Sequence, residues 1–86
     1  MRKFTVTIRE CRSGPVEHIA KVRHYTAPLA VTLAIQELYG RDKFLVPDSG
    51  LNREGSALYG QIGHYMNNEG LISTDTGRVR IDVEED

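Results

Sequence analysis

Residues Ala27–Tyr39 read APLAVTLAIQELY, and this segment has the strongest helical pattern in the chain. Its small and branched apolar residues fall on one arc at 3.6 residues per turn: Ala27, Ala30, Val31, Ala34, Ile35 and Leu38. Thr26 suits the N-cap position, Pro28 is tolerated in a first helical turn, and Gly40 suits the position after the last turn. The sequence therefore predicts a helix whose alanines allow close packing on a sheet.

The other side of this predicted helix carries little charge. A helix that covers a small sheet normally presents charged residues to solvent, but Glu37 is the only charged residue in this segment. The outward positions hold apolar and uncharged polar residues: Leu29, Thr32, Leu33 and Gln36. Either Asp48–Gly55 or Ser56–Met66 folds over them, or a protein partner or second copy covers them. These four residues are the candidate partner-binding site.

Two segments before the helix alternate between apolar and polar residues. Lys3–Glu10 has β-branched or aromatic residues at every second position, and Gly14 and Pro15 then interrupt the pattern. The alternation resumes over Val16–Tyr25. Because a period of two is typical of strands with one buried face, the sequence predicts an antiparallel hairpin.

Shorter elements follow the helix. Phe44–Val46 is predicted as a strand that Pro47 ends, and Asp48–Gly55 has the Gly, Ser, Asn and Asp content of a loop. Near the end of the chain, Asp75–Gly77 has turn chemistry. The alternation over Arg78–Val83 predicts a final strand.

Ser56–Met66 fits either a bent strand or a helix capped by Ser56. Gly60 and Gly63 would each destabilise a helix by about 1 kcal/mol relative to alanine, so the strand is favoured. The predicted fold class is α+β, with a small antiparallel sheet in the order β-β-α-β-β-β and one helix packed on one face. Residues 1–86 are expected to form a single domain with a solvated acidic tail at residues 84–86.

Composition excludes several classes of protein. The chain has 86 residues, 40% of them hydrophobic and 27% charged, and a formal net charge of −1, which is unlike a disordered chain or a strongly basic one. No apolar run is long enough to span a bilayer, and the first residues lack the apolar block of a secretory signal. Cys11 is the only cysteine, so a reducing, cytoplasmic location is predicted.

The sequence contains no recognisable catalytic or cofactor motif. It has no P-loop, no G-x-G-x-x-G, no H-E-x-x-H and no C-x-x-C. Cys11 is interpreted as a free thiol. The histidines lack the spacing of metal ligands and are interpreted as hydrogen-bonded structural residues: His18, His24 and His64. Four acidic residues do not match a calcium loop and are interpreted as turn or surface residues: Asp42, Asp48, Glu54 and Asp75. The prediction is a non-enzymatic protein with no cofactor or metal.

A second candidate surface is basic. If the first two strands and the last one share a sheet, its open face collects six cations: Lys3, Arg9, Lys21, Arg23, Arg78 and Arg80. Such a stripe can follow a nucleic-acid backbone, although Glu17, Asp82 and Glu84 dilute it. A related hypothesis takes Ser56–Met66 as a helix and the Asp75–Gly77 region as a wing. A small nucleic-acid-binding domain is therefore the alternative function, and the low net charge counts against it.

Five segments carry a resemblance that covers most of the chain: Phe4–Ile8, Tyr25–Pro28, Tyr39–Gly40, Asp48–Gly50 and Gly77–Ile81. Their order of strand, strand, helix and short strands resembles that of small phage and mobile-element inhibitors of the anti-CRISPR kind. The resemblance implies an inhibitor that occupies a surface of a host nucleic-acid-processing complex, such as a nucleic-acid channel or a subunit interface. It transfers no individual binding residue, because those proteins have no common motif.

Overall fold

The computed structural model describes residues 1–10, 14–48, 53–54, 57–66 and 70–86. One helix packs on an antiparallel sheet, which confirms the predicted α+β class. The elements in chain order are β1 (Arg2–Glu10), β2 (Val16–His24), α1 (Ala27–Tyr39), β3 (Phe44–Pro47), β4 (Arg53–Glu54), β5 (Ala57–Met66) and β6 (Leu71–Glu85). The strands lie in the order β2-β1-β6-β5-β3, and the two-residue β4 also pairs with β5.

The core lies between α1 and one face of the sheet. Residues directly opposite each other in antiparallel strands share a face, and Val6 on β1 lies opposite Ala20 on β2 and Val83 on β6. The cluster of buried side chains comprises Phe4, Val6, Ile8, Ala20, Val22, Ala30, Val31, Ala34, Ile35, Ile62, Val79 and Ile81. The alternation in the sequence thus predicted the buried face of β1 correctly, together with Ala20 and Val22 in β2, whereas Val16 is exposed.

The helix begins and ends as the sequence predicts. The Thr26 hydroxyl accepts a hydrogen bond from the Leu29 backbone N–H at 3.5 Å, which makes Thr26 the N-cap. At the other end, the Gly40 N–H donates to the Gln36 carbonyl at 3.1 Å. Gly40 has φ of +132°, a conformation that a residue with a Cβ rarely adopts, so glycine is suited to this exit.

The predicted turn at Asp75–Gly77 is wrong. These residues lie inside β6, which runs without interruption from Leu71 to Glu85. The register between β5 and β6 shifts here, because Gln61 lies opposite Arg78 whereas Gly63 lies opposite Thr74. This shift leaves extra residues in β6, which is the geometry of a bulge, and bulges use many of the residue types that turns use.

Three smaller predictions need adjustment. Pro47, expected to end β3, is its last residue, which an edge strand tolerates. The predicted loop Asp48–Gly55 contains β4, while residues 49–52 and 55 lie outside the described part of the chain. Residues 84–86 are exposed as expected, but Glu84 and Glu85 belong to β6, and the Asp86 N–H donates to the Lys3 carbonyl at 2.9 Å. The acidic end therefore continues the sheet.

Candidate protein-interaction surfaces

Leu29 and Leu33 are exposed on the outer side of α1. Their exposed fractions are 45% and 41%, so neither proposed internal cover hides them within the described residues. Thr32 is also exposed, and its hydroxyl donates to the Pro28 carbonyl at 3.1 Å, whereas Gln36 is half-buried. Of the four candidate residues, the two leucines offer the apolar surface.

This leucine stripe runs from the outer side of α1 toward the flank that faces β2. Leu33 and Glu37 are one helical turn apart and share a side of the helix. The Glu37 Oε2 lies 3.7 Å from the Nε2 of His18 on β2. The Leu33 end of the stripe is therefore the end nearer to β2, the last strand of the sheet.

The outer edge of β2 has no strand paired with it among the described residues. On the sheet face away from the helix, Ile19 is 60% exposed beside this edge. Lys21 leans away from the edge, since its Nζ donates to the Thr5 hydroxyl at 2.8 Å and lies 3.5 Å from an Asp86 carboxylate oxygen. The outer edge of β2, with Leu29 and Leu33 on one side of the sheet and Ile19 on the other, is called the helix–edge surface below.

A second apolar surface lies at the end of the β5–β6 hairpin. The strand β3 pairs with β5 only as far as Gly63. From His64 to Met66, β5 pairs with β6 and extends beyond the end of β3. Four large apolar side chains are exposed there: Tyr65 (61%), Met66 (44%), Leu71 (56%) and Ile72 (46%). These four residues are called the hairpin-tip surface below.

The hairpin-tip surface presents apolar groups on both of its faces. Tyr65 lies opposite Ile72 on one face, and Met66 lies opposite Leu71 on the other. The Tyr65 ring packs against Phe44 with the ring centroids 4.8 Å apart. Sequence reasoning missed this surface, although Asn, Glu and Gly at positions 67–70 between two apolar pairs are typical of a hairpin connection.

A polar cluster fastens the base of this hairpin. Asp75, in the bulge of β6, lies with its Oδ2 2.8 Å from the Nδ1 of His64 on β5 and 3.1 Å from the Nζ of Lys43 before β3. Since the imidazole Nδ1 must carry the hydrogen that it donates to the carboxylate, it cannot also accept from Lys43, which lies 3.4 Å away. The cluster joins three segments that are far apart in sequence.

The charges in this cluster stabilise one another. The hydrogen bond from His64, followed by that from Lys43, lowers the pKa of Asp75 below its ordinary value of 3.8. In return, the hydrogen bond to Asp75 raises the pKa of Lys43. Asp75 was predicted to be a turn or surface residue and His64 a hydrogen-bonded structural residue; the structure shows that the two bind each other.

We expect Asp75→Asn to remove a pH-dependent part of the stability. Because the folded state lowers the pKa of Asp75, its contribution is fully present above the unfolded pKa and is lost as pH falls through the folded pKa. Urea unfolding of wild type and Asp75→Asn should be measured between about pH 5 and about pH 2. The difference between their free energies of unfolding should shrink as pH falls. Asp42→Asn is the matched control, because Asp42 is 69% exposed and 3.6 Å from Lys43. A difference that stays constant across this range would contradict the assignment.

The basic sheet face brings together the predicted cations, and half of the six are paired with acids. The register places Lys3 opposite Arg23 and Arg9 opposite Arg80. Three of its cations contact carboxylates: Lys21 with Asp86 at 3.5 Å, Arg78 with Asp48 at 2.7 Å, and Arg80 with Asp82 at 3.0 Å. The guanidinium groups of Arg78 and Arg80 also lie 4.9 and 5.8 Å from the centre of the buried Tyr59 ring. Cations engaged in this way are less available to phosphates.

The helix-and-wing form of the nucleic-acid hypothesis lacks its helix, because residues 57–66 form the strand β5. The described residues contain no group of three or more His, Cys, Asp or Glu placed to hold a metal ion, and Cys11 lies outside them. His24, for its part, accepts a hydrogen bond at Nδ1 from the Tyr25 N–H at 2.9 Å. Within the same described ranges, α1 is too short to cross a bilayer.

No protein-family model, curated protein or solved structure matches this chain. The helix–edge and hairpin-tip surfaces are therefore the basis for a functional proposal.

Proposed function

We propose that this chain is a non-enzymatic protein-binding module that contacts its partner through the hairpin-tip surface. The observation that supports this best is the exposure of Tyr65, Met66, Leu71 and Ile72 together at one end of the molecule. Single exposed apolar residues are normal on soluble proteins, but a cluster of large ones is typical of an interaction site.

The shape of the hairpin favours this role. A two-stranded ribbon is marginally stable by itself, and here the part beyond Gly63 lacks support from β3. The cluster of Lys43, His64 and Asp75 holds the base of the ribbon, while its end exposes apolar groups on both faces. Such a tip fits a groove that can enclose it from two sides, and burial there would remove most of its apolar surface from water.

The resemblance to small phage inhibitors suggests a class of target. The partner would be a host nucleic-acid-processing complex, and the module would inhibit it by covering a surface. The pairing of half of the basic-face cations with acids supports a protein partner over direct binding to nucleic acid.

The test is a pull-down from host lysate with wild type and the variant Leu71→Thr/Ile72→Thr. Threonine keeps a high preference for strands, so the change removes apolar contact while retaining the hairpin. We expect the variant to lose the captured partner by tenfold or more, which corresponds to about 1.4 kcal/mol of binding free energy. Circular dichroism and urea unfolding check that the fold is retained.

Ile19→Thr is the matched control, because it makes the same change at an exposed strand residue on the other surface. It should capture the partner as wild type does. Loss of the partner from Ile19→Thr, with normal capture by the hairpin variant, would assign partner binding to the helix–edge surface and contradict the proposal.

A further inference from the structure

We infer that the helix–edge surface binds a second copy of this chain, through antiparallel pairing of β2 with β2 of the copy. This interaction goes beyond the proposed partner binding and uses a different surface. It would form one continuous sheet with both helices on the same side, and the two leucine stripes would pack against each other across the join.

The backbone of β2 is suited to such pairing. This strand has nine residues, and half of its peptide groups point away from β1, toward the unpaired edge. Natural edge strands are commonly protected by proline, by short length or by charges that obstruct the edge. Within β2 there is no proline, and Lys21 is drawn inward by Thr5 and Asp86, which leaves Arg23 as the other exposed cation on this face of the strand.

The position of the twofold axis follows from the contact between Glu37 and His18. Leu33 lies one turn before Glu37, about 6 Å along the helix axis. Ala20 lies two residues after His18, about 7 Å along the strand in the same direction. We therefore place Leu33 near Ala20, and a twofold axis that passes between Ala20 and Ala20 of the copy would bring the two copies of Leu33 toward each other.

Side-chain chemistry favours the same register. With Ala20 opposite Ala20 of the copy, Ile19 lies opposite Lys21 of the copy, so no like charges face each other at the centre of the pairing. A shift that centres the pairing on Lys21 would place two lysines directly opposite each other, which is destabilising. The small side chain of Ala20, which is 5% exposed, also leaves room for the leucines above it.

The contact fits a reversible dimer. Leu29, Leu33 and Ile19 are 45%, 41% and 60% exposed, which corresponds to an exposed apolar area on the order of 300 Å² per copy, divided between the two sides of the sheet. On the order of eight backbone hydrogen bonds would accompany it. With both copies counted, the buried area is on the order of 1,000 Å², at the low end for specific complexes. The net charge of −1 per chain produces little repulsion between copies.

The first test is light scattering coupled to size-exclusion chromatography over a range of concentrations. A chain of 9.7 kDa should approach twice that mass at about 500 µM, and Leu29→Lys/Leu33→Lys should remain monomeric there. Leu71→Thr/Ile72→Thr should dimerise as wild type does, which separates this inference from the proposed function. A wild-type chain that is monomeric at every concentration would overturn the inference.

The second test fixes the register by cross-linking. In a Cys11→Ser background, a mixture of Ile19→Cys and Lys21→Cys chains should form a disulfide between copies, because opposite residues have Cα atoms about 5 Å apart. Lys21→Cys alone should not form one. Efficient cross-linking of Lys21→Cys alone would exclude the pairing centred on Ala20.

Discussion

Gly60→Ala is expected to destabilise the fold by about 3 kcal/mol, the upper part of the range for overpacking. A Cβ at position 60 would overlap the carbonyl oxygen of Val46 and lie 3.0 Å from the Cα of Pro47. Both are backbone atoms of β3, so the clash cannot be relieved by rotating a side chain. The strand β3 would have to move away from β5, and the Leu45 and Ile62 contacts would loosen.

Urea unfolding monitored by circular dichroism measures this effect as a lower midpoint. Gly77→Ala in β6 is the matched control, because a Cβ there would meet no atom within 4 Å. We expect Gly77→Ala to stay within about 0.5 kcal/mol of wild type. Equal stability of the two variants would show that β3 does not approach β5 as closely as described.

Phe4→Ala is expected to destabilise the protein by about 3–5 kcal/mol. Phe4 is 2% exposed and lies opposite Val22 on β2, in the core beneath α1. Its removal loses the transfer free energy of the ring and leaves a cavity that the surrounding strands cannot close. Since domains of this kind have a total stability of about 5–15 kcal/mol, this loss is a large fraction of it, and the variant should unfold at a clearly lower urea concentration than wild type.

Thr7→Ala provides the comparison on the same strand. Thr7 is half-buried on the open face of the sheet, so its truncation creates no cavity in the core. We expect a loss below about 1 kcal/mol. If Phe4→Ala and Thr7→Ala lowered the free energy of unfolding by the same amount, Phe4 would have to lie outside the core.

The sequence predicted the elements that have long and regular patterns. The apolar positions around Phe4 and Val22 recur at every second residue, and those of Ala27–Tyr39 recur with the helical period. Each pattern repeats several times, so it identifies which side of the element is buried. Asp75–Gly77 was mistaken for a turn because aspartate, threonine and glycine also suit a bulge. The local sequence cannot distinguish a turn from a bulge, because the distinction depends on whether the neighbouring strand pairs with the residues on both sides of the segment.

The candidate surfaces were predictable only in part. The low charge of α1 drew attention to Leu29 and Leu33 but left open whether another segment of the chain covers them; the structure shows both to be exposed. Tyr65 and Ile72 were missed, because an alternating apolar residue reads as buried until the extent of the neighbouring strand is known. The cluster of Lys43, His64 and Asp75 was also missed, since only the shifted register of β5 and β6 brings these residues together.

The two edges of the sheet differ in a way that limits the size of any assembly. On the side opposite β2, the sheet ends in β3, which has four residues and finishes at Pro47. A strand this short that ends in a residue without an N–H is a poor template for further pairing. In two chains joined at β2, the outermost strand on each side would therefore be β3. We expect such a dimer not to extend its sheet by further pairing at β3.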